Sequence, residues 1–123
     1  MKLVSEVLQD VVNTCVSAQV RNRDEVFGKA VEELGELSTA IFIPEKVTES
    51  AFFESCDLTI AAIDNCFMNF LQERYDCYNT QDLVGMSEED RARLDREFQE
   101  ALATALSSKL DKWKRLVESR KVK

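Results

Sequence analysis

The chain has no histidine, three glycines and one proline in 123 residues, and its four cysteines (Cys15, Cys56, Cys66, Cys77) show no CxxC spacing. Without imidazole, no Ser-His or Cys-His nucleophile system can be assembled. The mixed His/carboxylate di-iron bundle with its Glu-x-x-His pairs is excluded as well. Zinc sites rich in Cys lack the spacing they need. So little Gly and Pro leaves scant material for tight turns, and long helices joined by few loops are expected. With no Cys framework and no signal peptide, a reduced, cytoplasmic location is expected. No uninterrupted apolar run reaches membrane-spanning length, so no membrane partner is expected.

The net charge is −7, which disfavours a sequence-independent nucleic-acid binder. It is unevenly spread. Residues 109–123 carry seven basic side chains, Lys109, Lys112, Lys114, Arg115, Arg120, Lys121 and Lys123, against Asp111 and Glu118. That local net of +5 leaves −12 on the rest. Cations near a helix C-terminus are ordinary, but part of this cluster could help hold an anion.

Periodicity predicts four helices in a single all-α domain spanning 1–123. Residues 2–20 are amphipathic through Val4, Val7, Leu8, Val11, Cys15 and Ala18. A second helix covers 25–42, with Asp24 as its expected N-cap and Pro44 as its stop. On it Phe27, Ala30, Val31, Leu34 and Leu37 share one side. Glu32, Glu33 and Glu36 occupy the other, and Lys29 projects one turn before Glu33. A third helix covers 49–72, followed by a loop over 73–86. Ser87-Glu88-Glu89-Asp90 resembles a capping box and opens a fourth helix. The fourth helix's apolar row Leu94, Phe98, Leu102, Leu106, Leu110, Trp113, Val117 drifts around the axis. A bend or break at Ser107-Ser108 is therefore expected.

The third helix is the informative one. Of residues 51–71, 14 of 21 are hydrophobic, and the charges among them are Glu54, Asp57 and Asp64. A helix apolar around its circumference is normally buried, and buried carboxylates are costly unless something positive sits against them. Glu33 with Glu36, and Glu54 with Asp57, are i, i+3 pairs, each on one helix face. Two antiparallel helices would bring the pairs together. Four like charges cannot share a site without cations, and hard oxygen donors suit Mg²⁺, Mn²⁺ or Ca²⁺. Mg²⁺ commonly takes substrate phosphates as further ligands, so the constellation implies a phosphate-bearing substrate.

The stretch Lys29-Ala30-Val31-Glu32-Glu33-Leu34-Gly35-Glu36-Leu37, followed by Glu54-Ser55-Cys56-Asp57-Leu58, resembles the EExxE…ExxD signature of the MazG-like all-α nucleoside triphosphate pyrophosphohydrolases. The resemblance covers about residues 24–68. It implies an all-α bundle of four to five helices, completed by a homodimer or homotetramer. It also implies Mg²⁺-dependent hydrolysis of an NTP or dNTP to the monophosphate and pyrophosphate, with Mn²⁺ as a substitute metal. By position, Glu33, Glu36, Glu54 and Asp57 become the metal ligands, with Glu32 beside them. Glu36 or Glu33 orients or deprotonates the attacking water. Asp64 stands where many members place Asn, facing sugar or base. Lys29, Lys109, Lys112 and Arg115 become phosphate-side cations. Many members carry a Trp near the end of the first helix, and Gln19–Arg23 here has none. Two other readings of the same residues are a non-catalytic helical oligomer or adaptor with a cation-binding acidic face, and a hydrolase of alarmone-type nucleotides.

Overall fold

Where the helices begin and end is set by local chemistry that the chain supplies at each boundary. A computed structural model describes residues 2–17 and 19–120. Ala18, Lys121 and Lys123 lie outside the described residues. The helices are α1 (Val4–Ser17), α2 (Arg23–Phe42), α3 (Ala51–Tyr75) and α4 (Glu88–Ser119), with short 3-10 turns at Pro44–Lys46 and Thr80–Leu83. The described residues contain no strand, so the architecture is all-α.

Three of the α-helices are capped at their N-termini by side-chain hydrogen bonds. The Phe53 amide donates to Ser50 Oγ at 3.3 Å, and the Asp90 amide to Ser87 Oγ at 3.0 Å. Helix α2 is capped by Asn22 rather than Asp24: the Glu25 amide donates to Asn22 Oδ1 at 2.9 Å, and Asn22 Nδ2 donates back to Glu25 Oε1 at 3.0 Å. One orphan amide is satisfied, and the return bond, which an aspartate could not make because a carboxylate has no donor, fixes the capping side chain in place. Asp24 lies instead in the first turn and accepts from the Tyr78 hydroxyl. Helix α3 runs on to Tyr75, three residues into the expected loop. It is closed there by Asp76 in the left-handed region (φ +51°), whose amide donates to Gln72 O. Helix α4 passes through Ser107-Ser108 without interruption.

One core draws on all four helices: Val12, Cys15 and Val16 of α1, Val26 of α2, Phe67, Met68, Phe70 and Leu71 of α3, and Leu94 and Phe98 of α4. The Phe67 and Phe98 rings meet edge-on at 5.1 Å between centroids. The α1–α2 and α3–α4 connections are tied together. Thr80 N donates to Arg21 O at 2.9 Å, Arg21 N donates to Thr80 Oγ1 at 2.9 Å, and Arg23 N donates to Tyr78 O at 3.0 Å. Arg91 donates to Val16 O and to Leu83 O, taking up a carbonyl that the end of α1 leaves open.

The apolar circumference of α3 is not buried throughout. Its C-terminal half enters the core, whereas Phe52, Phe53 and Ile60 are exposed, because the other helices cover only part of its first half. Helix α2 likewise leaves Phe27, Val31 and Leu34 exposed and turns Glu33 inward. The second half of α4 projects beyond the core, so Leu106, Leu110, Trp113 and Val117 follow their stripe into solvent. No helix among the described residues is long and apolar enough to cross a membrane.

Candidate metal centre

Helices α2 and α3 pack along their length in opposite directions. Asn65 Nδ2 donates to Val26 O at 3.2 Å, and Glu36 meets Glu54 near the other end. The connector between them is short, and Pro44 stops α2 in time for the chain to reverse. Each ExxE or ExxD pair sits on one helix face, and the antiparallel packing turns the two faces towards each other.

Carboxylate oxygens of Glu33, Glu36 and Glu54 lie within 4.8 Å of one another. A second group, Glu49, Glu54 and Asp57, meets the same limit, and Glu54 belongs to both. Glu33 and Glu54 are the buried members, at 6% and 7% exposure. Each has one buried oxygen, Oε2, without a hydrogen-bond partner among the described residues. A buried carboxylate oxygen left without a partner is expensive, and a cation placed between these groups would offset that cost.

The ammonium nearest the cluster is Lys29, 2.8 Å from Glu33 Oε1 and 3.7 Å from Glu32 Oε2. Its hydrogen bond holds the Glu33 carboxyl below the usual carboxylate value, and Glu33 in turn holds Lys29 up. Glu36 is pushed up, first by its hydrogen bond to Glu33 and then by the Glu33 charge. Burial pushes Glu54 up, and the charges of Glu49, Asp57 and Glu33 add to it. Glu32 itself is exposed and points to Lys29 rather than into the cluster.

Beside the carboxylates opens a cavity of about 530 Å³ between α1, α2 and α3. Lys29, Glu33 and Asp57 border it at one end, Val7, Val11, Ile60 and Ala61 form apolar wall, and Arg21 and Asp64 line it too. Asp64 does not stand free. Arg21 Nη2 approaches Asp64 Oδ1 at 2.6 Å and Arg21 Nε approaches Oδ2 at 3.1 Å, a bidentate pair. The same guanidinium donates to Cys15 O and Gln19 O, closing the end of α1. Cys15 also lines the cavity, but burial and the Asp64 charge push its thiol up to about 12, so it is no nucleophile at neutral pH.

The structure thus brings Glu33, Glu36, Glu54 and Asp57 to one place, with Lys29 at its edge and Asp64 along the cavity. Lys109, Lys112 and Arg115 do not join them within this chain. They border a shallow groove with Trp113 and Leu116 on the projecting part of α4. Two residues of the site escaped sequence reasoning. Glu49 had a local signal, since it stands immediately before the Ser50 cap and close in sequence to Glu54. Arg21 had none, because its partner Asp64 is 43 residues away. No family model, curated protein or solved structure matches the chain.

Proposed function

We propose that the protein is a Mg²⁺-dependent nucleoside triphosphate pyrophosphohydrolase of the MazG-like all-α type, releasing a nucleoside monophosphate and pyrophosphate. One observation carries the reading: carboxylates of Glu33, Glu36 and Glu54 converge within 4.8 Å, and two of them bear buried oxygens that lack a partner among the described residues. An all-oxygen, acidic donor set of this kind fits Mg²⁺ or Mn²⁺.

Glu33, Glu36, Glu54 and Asp57 would hold the metal. When bound, such a cation supplies charge neutralisation for a polyphosphate and acidifies water beside it. The chain's own groups do the rest. Lys29 holds Glu33 anionic, which keeps that carboxylate available as a ligand. Glu36, more basic through its contact with Glu33, is the better placed to accept the proton of the attacking water. Lys29 faces the same cavity and contributes positive charge on the phosphate side. The apolar wall of Val7, Val11, Ile60 and Ala61 takes the nucleoside, and Asp64, fixed by Arg21, offers acceptor oxygens to its sugar or base.

A homodimer or a dimer of dimers belongs to this reading. Exposed Phe27, Val31 and Leu34 recur at i, i+4 and i+7 on the side of α2 away from the carboxylates, a stripe that a second copy would cover. The basic side chains Lys109, Lys112 and Arg115 could then serve a neighbouring copy's site.

The test is incubation of the protein with Mg²⁺ and a panel of NTPs and dNTPs, scoring monophosphate and pyrophosphate. Turnover by the wild-type chain with loss in Glu36→Gln is the expected result. Silence across the panel, or unchanged turnover in that variant, overturns the assignment. Silence together with tight Mg²⁺ binding points to a non-catalytic acidic adaptor. Extending the panel to alarmone-type nucleotides tests the remaining reading.

A further inference from the structure

We infer that the cavity beside the acidic centre selects nucleotides whose base carries an exocyclic amine, as cytosine and adenine do, over the keto counterparts uracil and hypoxanthine. Asp64, locked in place by Arg21, is the specificity-determining residue. The inference rests on the proposed function in placing a nucleoside in this cavity.

Asp57 and Asp64 stand two turns apart on one face of α3, about 10 Å along its axis. Both border the cavity, with Ala61 between them. Phosphates held at the Asp57 end leave the nucleoside to stretch along the helix towards Asp64. Ala61 carries a single methyl group, so a planar base can lie close to the helix there.

Donors are scarce where the base arrives. Arg21 is almost fully engaged, with four of its five N–H groups used. Nε and Nη2 donate to Asp64 at 3.1 and 2.6 Å, Nη2 also donates to Cys15 O at 2.7 Å, and Nη1 donates to Gln19 O at 3.0 Å. The Thr14 hydroxyl donates to Asp10 O at 2.7 Å, so what it has left is lone pairs. The Cys15 thiol is a weak donor. Asp10, the other carboxylate of this wall, only accepts. Asp64 accepts from Arg21 through both oxygens, but a carboxylate has about four acceptor positions, so capacity remains for a ligand.

Against such a lining the two kinds of base differ. The amine on C4 of cytosine or C6 of adenine is a donor, and a carboxylate accepting from the cytosine amine is an established mode of base recognition. The keto oxygen at the same ring position of uracil or hypoxanthine is an acceptor. It would give up its water and meet a carboxylate instead of a donor. The ring N–H of uracil can donate, but only by bringing its flanking keto oxygens against the same acceptors. A mobile aspartate would turn away and admit either base. This one is gripped at two points, and the side chains of the pair are 10% and 24% exposed, so its acceptors stay aimed before the ligand arrives.

The experiment uses the full chain with Mg²⁺ and triphosphates whose α–β bridging oxygen is replaced by methylene, so that binding is read without turnover. Calorimetry compares cytidine with uridine, and adenosine with inosine, two pairs matched in size. The amine-bearing member of each pair is expected to bind about 10- to 100-fold more tightly. Asp64→Asn, whose amide can present a donor or an acceptor, is expected to bring both ratios close to one, with far-ultraviolet dichroism confirming that it folds. Equal affinity in either wild-type pair, a keto preference, no binding of any of the four, or unchanged ratios in folded Asp64→Asn overturns the inference. If that variant does not fold, the wild-type ratios decide. Failure here is separate from failure of the enzymatic assignment. The expected preference without hydrolysis of the parent nucleotides sinks only the assignment, and hydrolysis with equal affinities sinks only the selectivity.

Discussion

Lys29 Nζ lies 2.8 Å from Glu33 Oε1, yet the other oxygen of the same carboxylate is buried without a partner among the described residues. The lysine thus compensates half of what Glu33 needs, and it does so from an exposed position. Removing it leaves the buried Glu33 carboxylate without its ion-pair partner, so Lys29→Met is expected to cost the metal-free protein about 1–3 kcal/mol. Removing a competing cation should also tighten binding of Mn²⁺ in the absence of nucleotide. Calorimetry on the variant checks this, and weaker Mn²⁺ binding would contradict the competition.

The pH dependence of the metal-free protein follows from Glu54. Burial, joined by Glu49, Asp57 and Glu33, raises its carboxyl above the ordinary 4.5, so over that window the folded state binds more protons than the unfolded state. Stability is therefore full below 4.5 and is lost as pH rises through the raised value. Glu33 acts oppositely: its lowered carboxyl stabilises above the ordinary value and ceases to do so as pH falls through the lowered one. Thermal melts in chelator should show the melting temperature falling from mildly acidic to neutral pH. Glu54→Gln should flatten that fall.

Adding the cation should reverse the neutral-pH loss. At a free concentration about 100 times its dissociation constant, a ligand specific for the folded state adds about 2.7 kcal/mol. Mg²⁺ or Mn²⁺ should raise the melting temperature of the wild-type chain accordingly, and Glu54→Gln should show little response. Equal shifts in both proteins would detach the stabilisation from this carboxylate.

Arg21 and Asp64 form a bidentate pair on the cavity wall, with the arginine side chain 10% exposed and the aspartate 24%. Truncating either leaves a poorly solvated charge, so Arg21→Met and Asp64→Leu should each cost about 2–4 kcal/mol in urea unfolding. The double variant should cost less than their sum, because it leaves neither charge alone. Strict additivity would show that the pair contributes nothing as a pair.

Phe67 is fully buried and meets the Phe98 ring at the centre of the four helices. Phe67→Ala should cost about 3–5 kcal/mol, read as a lower urea midpoint. At the opposite extreme, Phe27→Asp with Val31→Asp alters exposed residues on the outer stripe of α2. That pair should leave helicity intact while reducing the sedimentation mass to one chain. A wild-type mass of one chain would show that the stripe stays uncovered.

Much of the frame was legible because it is local. Pro44 stops α2, Ser87 caps α4, and the stretch 45–84 between them, free of Gly and Pro, allows the long α3. The i, i+3 spacing of Glu33–Glu36 and Glu54–Asp57 was enough to place each pair on one face. The choice of Asn22 over Asp24 as a cap was not legible from residue type alone, since both are good caps. The returned hydrogen bond to Glu25 decided it. Nor did the apolar row of α4 betray its course. The row continues past Leu102 in one unbroken helix, yet from Leu106 onward its apolar side chains are exposed, because nothing among the described residues covers them.

The sequence by itself determined where helices start and stop and which side chains share a face, because capping and the 3.6-residue turn involve only near neighbours. Tertiary structure decided which face looks inward. Helical period ranks faces by composition, yet α2 buries Glu33 and exposes Phe27, Val31 and Leu34. Contact between α2 and α3 determines that orientation, as it determines the meeting of Glu36 with Glu54. The same long-range packing joins Arg21 to Asp64 across 43 residues, a pairing no local pattern can encode.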